Sequence, residues 1–192
     1  MAIQIILASG SPRRKQLLEQ AGIPHIVLVS NADETVSGSP EAQVTELALR
    51  KANATALLAK QYESPIIIAA DTLVYIDGEV LGKPDNPKDA FDMLTKLQGR
   101  THEVYTGVAL VYGDKSTTFV CTAEVTFRTL SPEEINAYIA TGEPFDKAGA
   151  YGIQGRGSVL VEHIKGDFYT VMGLPIAKLC ESLMEMGYKY WL

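Results

Sequence analysis

Cysteine is nearly missing from this sequence. Cys121 and Cys180 are the only two, and their spacing fits neither a disulfide framework nor a zinc ligand set. Two buried thiols in a reducing compartment are expected instead. Long hydrophobic runs are missing too: stretches such as Ile66–Ala70 fall far short of the roughly 20 residues a membrane helix needs, so no membrane partner is expected. Positive charge is not in excess, because 17 Lys and Arg face 23 Asp and Glu for a net charge of -6. Proteins that coat long nucleic acid carry the opposite sign, which excludes that role while leaving small anionic ligands open. The opening Met1-Ala2-Ile3-Gln4 lacks the basic region of a secretory signal, and the expected location is cytoplasmic. There is no internal repeat, no low-complexity tract and no G-x-G-x-x-G fingerprint. Ser, His and Asp show no triad-like arrangement, and His25, His102 and His163 read as structural.

What is present is a globular pattern. Hydrophobic residues make up 46% and charged residues 21% of 192 positions, too apolar for disorder and enough for one domain spanning 1–192, in one body or in two lobes around a cleft. Apolar periodicity predicts a strand from Ile3 that stops at Ala8-Ser9-Gly10, then a helix capped by Ser11 with Pro12 at its first position. His25–Ser30 reads as a strand and Pro40–Lys60 as a helix. Ile66–Ala70 reads as a buried strand ending in Asp71, followed by a hairpin turning on Asp77-Gly78. Asn86–Leu97 follows as a helix, and Glu103–Tyr112 and Thr117–Arg128 as strands around Gly113-Asp114. Ser131-Pro132-Glu133-Glu134 opens a capped helix. Ser158–His163 and Phe168–Met172 flank Lys165-Gly166-Asp167, and Pro175–Met186 is a last helix. The fold class is therefore α/β: a mixed twisted sheet with flanking helices and a cleft, not a regular βαβ repeat.

Several segments could carry chemistry. Ser9-Gly10-Ser11-Pro12-Arg13-Arg14 joins a strand end to a helix start, where bare amides and the helix dipole attract anions. Adjacent arginines are unfavourable at that end of a helix unless an anion compensates, although a merely basic, solvated terminus stays open. The segment lacks the Gly-Lys-Ser/Thr ending of a Walker A loop. Asp71, directly after an apolar strand, is either a turn residue or a group presented at the sheet's carboxyl end. Asp33-Glu34 reads as surface charge or, together with Asp71, as ligands for a divalent ion. Lys51 lies in phase with Val44, Leu47 and Ala48, as a stem covering apolar surface or as a cation aimed inward. Lys83 sits between Gly82 and Pro84. The glycine-rich run Asp146–Gly157 suits a loop pressed against a ligand, and Gln154 within it carries both a donor and an acceptor.

The run Leu7–Leu18, with Ala70-Asp71-Thr72, Gly82-Lys83-Pro84, Asp146–Gly157 and Val171-Met172-Gly173-Leu174-Pro175, resembles the Maf proteins, nucleotide pyrophosphatases with a fold akin to the inosine triphosphatases. Asp71-Thr72 and Gly152-Ile153-Gln154-Gly155 resemble the dTTP/UTP branch more than the 7-methyl-GTP branch. Ala69 stands where the family often has glycine. The resemblance implies hydrolysis of dTTP or UTP to monophosphate and pyrophosphate, with Asp71 as proton acceptor. It implies that Arg13, Thr72 and Gln154 set base selectivity, and that Ser9, Arg14, Glu34, Lys51 and Lys83 belong to the substrate and metal pocket. It also implies a divalent cation, Mg or Mn, as cofactor, with Glu34 and Asp71 as its ligands, and allows a homodimer. Two other functions compete: a pyrophosphatase for another modified nucleotide, and a nucleotide-binding regulator of septum formation without turnover.

Overall fold

The computed structural model describes residues 3–189. Met1 and Ala2, within the opening stretch read above, lie outside the described residues. The chain divides into two compact units. The first contains the residues up to Asp71, Thr106–Cys121 and those from Gly173 onward, and the second contains Thr72–Tyr105 and Thr122–Met172. Among the described residues the strands β1 (Gln4–Leu7), β2 (Ile26–Val27), β3 (Pro65–Ile76), β4 (Glu79–Leu81), β5 (Thr101–Tyr112), β6 (Lys115–Phe127) and β7 (Val161–Lys165) form one mixed sheet in the order β2-β1-β3-β5-β6-β7, with β4 paired to β3. The mixed α/β class expected from the sequence is the one observed.

In the first unit, β1 (Gln4–Leu7) runs parallel to both β2 (Ile26–Val27) and β3 (Pro65–Ile76), with Leu7 opposite Val27 and Ile68. Ile5, Ile6 and Leu7, and Ile66, Ile67 and Ile68, are all buried, as in a parallel sheet covered on both faces. Helix α1 (Pro12–Gln20) begins with Pro12 as expected. Its end is set by Gly22 at φ +67°. The Ile23 and Gly22 amides donate to the Leu18 and Glu19 carbonyls, a Schellman closure that also buries Ile23 with Leu18. Ser11 makes no side-chain cap; contrary to expectation, its amide instead donates to Ser9 Oγ at 3.2 Å.

Helix α2 (Pro40–Leu58) is started by Ser39, whose side chain accepts from the Ala42 amide, and by Glu41 in the first turn. Its buried face is Val44, Leu47, Ala48, Ala52 and Thr55. The small Ala48 and Ala52 pack with Ile6, Ile67, Ala69 and Ala109. Close approach also requires Gly107, where a Cβ would stand 2.5 Å from the Val44 carbonyl oxygen. Helix α6 (Ile176–Glu185) buries Leu179, Cys180 and Leu183.

The second unit holds β4 (Glu79–Leu81), α3 (Pro87–Leu97), α4 (Pro132–Ile139), β7 (Val161–Lys165) and the short α5 (Phe168–Met172). Asp77 at φ +53° and Gly78 at φ +83° make the expected hairpin turn between β3 and β4. Asn86 caps α3, and Ser131 with Glu134 closes a full capping box on α4. Val74, Leu94, Val125, Phe127, Ile135 and Leu160 lie in its core. Strands β5 (Thr101–Tyr112) and β6 (Lys115–Phe127) each contribute residues to both units.

Two strand expectations are corrected, and the segment Phe168–Met172, to which the sequence assigns no element, is placed as well. The strand at Ile66 does not end in Asp71: β3 continues to Ile76, because Leu73, Val74 and Ile76 are buried and pairing with β4 extends it. The segment His25–Ser30 supplies only a two-residue strand with both residues exposed. Phe168–Met172 is helical, its first turn tied by Asp167, whose carboxylate accepts from the Tyr169 and Thr170 amides.

Candidate active site

In the first unit the β1–α1 turn shapes a polar centre. Ser9, almost fully buried, accepts at Oγ from the Ser11 amide and from Arg14 Nη1 at 3.1 Å. Arg14 Nε donates to the Gly173 carbonyl at 2.8 Å, so the guanidinium is held between the turn and the segment before α6. Burial pulls the Arg14 pKa below its ordinary value; Asp71 and Glu34 act against this, and Arg13 adds to it. Arginine nonetheless stays cationic. Arg13, Arg14, Asp71 and Glu34 thus form one electrostatic group at a helix N-terminus with no acidic residue in its first turn.

Lys51 completes that group. Its Nζ lies 2.7 Å from Asp71 Oδ1 and 2.9 Å from Glu34 Oε1. The Lys51 and Asp71 side chains are 18% and 16% exposed, against 65% for Glu34. Lys51 is therefore a paired inward cation and not simply a stem over apolar surface. Asp71 reaches it from the middle of β3, not from a strand end.

Two supports are not legible in the sequence. Arg50 Nη1 donates to the carbonyls of Asp33 and Thr35, at 3.2 and 2.8 Å, on either side of Glu34. The same guanidinium is braced by Glu46 one turn earlier. Thr55, fully buried on α2, donates to Ser30 Oγ at 3.0 Å and anchors the start of the same loop. The i, i+4 Glu–Arg spacing is a visible signal, but it reads equally well as a surface pair.

Among the described residues no group of three or more His, Cys, Asp or Glu side chains could hold a metal ion. Asp33 is engaged elsewhere, since its carboxylate accepts from the Thr35 amide at 2.9 Å, and this bond lowers its pKa. Glu34 and Asp71, however, converge on a single point, that of Lys51 Nζ. That point is filled by the Lys51 ammonium, so a divalent ion held by Glu34 and Asp71 would have to replace Lys51 Nζ between them. Mg, usually held by one or two carboxylates together with phosphate oxygens and water, is the kind of ion two such groups would suit.

In the second unit Thr72 is half-buried on β3, and Lys83 is exposed in the segment after β4. The Gly149 amide donates to the Gly82 carbonyl at 2.9 Å, tying the Lys83 segment to the glycine-rich stretch. That stretch is a series of short 3-10 turns, Glu143–Asp146, Ala148–Ala150 and Gly155–Leu160, with Gln154 half-buried before the last.

Glu143 organises it, a role that nothing in the sequence signals. Its carboxylate accepts from the Arg156 and Gly157 amides at 2.9 and 3.0 Å and from the Tyr138 hydroxyl at 3.0 Å. Burial by itself would raise the Glu143 pKa, but these three bonds and Lys147 outweigh it and hold the carboxyl below the ordinary range. His102 is buried, 2.8 Å from the Tyr151 hydroxyl and edge-on to Phe127. Desolvation drives its pKa down to about 4, so it is a neutral core residue at pH 7. Cys121 and Cys180 form no disulfide, and no described helix is long and apolar enough to cross a membrane.

The chain aligns over 96% of its length with a solved structure, the Staphylococcus aureus Ham1 protein, at a TM-score of 0.52 with 15% identity and all of that chain covered. At that identity the likeness shows the shared fold alone. In sequence it is 52% identical over 186 residues to the dTTP/UTP pyrophosphatase of Bacillus cereus (strain AH820), covering 96% of each chain. It is 53% identical over 186 residues to the protein of the same name from Bacillus thuringiensis subsp. konkukian, again covering 96% of each. The family model described as Maf-like protein matches residues 4–186, and the chain belongs to that family.

Proposed function

We propose that this chain is a divalent-metal-dependent pyrophosphatase that hydrolyses dTTP and UTP to the monophosphate and pyrophosphate. The observation that carries the reading is Lys51 Nζ set between Asp71 and Glu34, with the half-buried Arg14 coupled electrostatically to both carboxylates. The activity named for the Bacillus relatives supports the substrate class.

A triphosphate brings several negative charges, and its hydrolysis needs water aimed at the α-phosphorus. The amides of the β1–α1 turn, with Arg13, Arg14, Lys51 and Lys83, are the groups that bind and neutralise the phosphates. Ser9 holds the Arg14 guanidinium in orientation. Asp71 accepts the proton as a water oxygen bonds to the α-phosphorus. The bond from that phosphorus to the bridging oxygen breaks, and pyrophosphate departs with the electron pair. A divalent cation held by Glu34 and Asp71 would supply Lewis-acid stabilisation of the phosphate oxygens. Lys51, bonded to both carboxylates, orients them before substrate arrives. Arg13, Thr72 and Gln154 set the choice of base.

A cytoplasmic setting is part of the reading and is supported by the sparing use of cysteine, just two in the chain. A homodimer is part of it too, supported by the family resemblance and decided by a size measurement at assay concentration.

The test is pyrophosphate release from dTTP, UTP, dCTP, GTP and 7-methyl-GTP, with Mg, with Mn and with a chelator. Release from dTTP and UTP that needs the metal supports the proposal. Preference for 7-methyl-GTP, or tight nucleotide binding without release under any metal, overturns it.

A further inference from the structure

Glycine-rich segments lose more conformational freedom on ordering than others, so one that presents a recognition group in a single pose needs anchors. The stretch around Gln154 has anchors on both sides. Before it, the Gly152 amide donates to the Tyr138 hydroxyl at 3.0 Å. After it, the Arg156 and Gly157 amides donate to the two carboxylate oxygens of Glu143. Tyr138 in turn donates its hydroxyl proton to Glu143 Oε1, so both anchors meet at one carboxylate. Lys147 Nζ fixes the Glu143 backbone by donating to its carbonyl at 2.5 Å. The fit leaves no space: a Cβ at Gly155, where φ is +67°, would stand 2.8 Å from Glu143 Oε2. One at Gly157 would stand 2.7 Å from the Tyr138 hydroxyl.

We propose that Glu143 is a positioning residue for base selection: it clamps the 152–157 stretch so that Gln154 is presented to the base from one backbone position. This rests on the reading of Gln154 as a base-selecting residue. Thymine and uracil present an acceptor at O4 beside a donor at N3, whereas cytosine presents a donor at C4 beside an acceptor at N3. An amide carried on a backbone fixed at one distance from the base keeps the hydrogen bonds that suit one of these pairs, while one on a slack loop can shift to pair with either. Glu143 has no contact to make with the phosphates or the attacking water in this scheme. Its loss therefore acts on discrimination between bases.

The test compares Glu143→Ala, Glu143→Gln and Tyr138→Phe with the unaltered protein, reading kcat/KM for dTTP and dCTP and amide hydrogen exchange at Arg156 and Gly157 without ligand. Glu143→Ala is expected to speed exchange at both amides by about tenfold or more, the scale of a lost charge-assisted hydrogen bond. The dTTP-to-dCTP ratio is expected to fall by about tenfold with it. Glu143→Gln retains one acceptor and should fall between; Tyr138→Phe keeps the ring, frees Gly152 and should weaken the ratio in the same direction. Faster exchange with an unchanged ratio, or equal losses for both nucleotides with a lower melting temperature, overturns the proposal and leaves Glu143 a purely structural residue. If the unaltered protein cleaves none of the triphosphates, the pyrophosphatase reading fails and takes base selection with it. The exchange data then still tell whether Glu143 anchors the stretch.

Discussion

Lys51 Nζ on α2 reaches Asp71 Oδ1 on β3 at 2.7 Å, each side chain less than one-fifth exposed. A half-buried pair of this kind is held in one geometry, so the two residues should separate functionally on mutation. Asp71→Asn keeps the shape and removes proton-accepting capacity; turnover with dTTP and Mg is expected to drop by about 10²–10⁴, as for loss of a general base. Lys51→Met leaves the proposed acceptor but removes one of the proposed phosphate-binding cations, so KM for the triphosphate is expected to rise as kcat falls. Steady-state kinetics on both variants check this, and full turnover in Asp71→Asn would remove Asp71 from the mechanism.

Arg50 makes a second prediction, because it touches none of the proposed reacting groups. It bonds the carbonyls on either side of Glu34, and so sets where that carboxylate stands. Arg50→Ala is expected to raise the Mg concentration needed for half-maximal activity by about tenfold, the worth of one or two hydrogen bonds to a charged group. Activity at saturating Mg should largely return. A Mg titration of activity checks it, and an unchanged midpoint would show that Glu34 needs no such support.

The parts of the fold legible in the sequence are those with local causes. The Asp77-Gly78 turn, the Ser131–Glu134 capping box and the Pro12 start of α1 each depend on residues within a few positions, and each is present. The β1–α1 turn and the Gln154 stretch are legible for the same reason. What escapes depends on distant partners. Asp71 looks like the end of a strand because a carboxylate rarely sits within one; β3 continues through it because β4 pairs beyond it and Lys51, twenty positions earlier, meets its charge. The phase of α2 points Lys51 inward without naming that partner. Glu143 gives no signal, since the amides it holds lie 13 and 14 residues away. Ser11 is the opposite case: a good capping residue displaced because Ser9 and Arg14 take over the local bonding.

Gly107 offers a prediction on stability. A Cβ there would meet the Val44 carbonyl at 2.5 Å and the Thr45 amide nitrogen at 2.9 Å, both backbone atoms of α2 that cannot swing aside as a side chain would. Gly107→Ala is expected to cost about 1–3 kcal/mol, the usual range for overpacking a filled interior. Because α2 carries Lys51 and Arg50, the same shift should also lower activity below the melting transition. Denaturant unfolding with parallel assays checks both effects, and wild-type stability would mean that α2 moves off its neighbours freely.

His102 links the core to pH. Its folded pKa of about 4 lies below the ordinary value of 6.5 because burial disfavours the imidazolium. Between those values the unfolded chain binds a proton that the folded one does not, so stability rises with pH across that window. The contribution is complete above about pH 6.5 and is lost as pH falls toward 4, a total of about 3 kcal/mol. His102→Gln can still reach the Tyr151 hydroxyl but cannot titrate. Its stability should therefore change less between pH 7 and pH 4 than that of the unaltered protein, even if it starts lower. Urea unfolding at several pH values reads the difference directly. Parallel profiles for the two proteins would show that His102 is protonated as readily when folded as when unfolded, and that the Phe127 and Tyr151 rings do not exclude its charge.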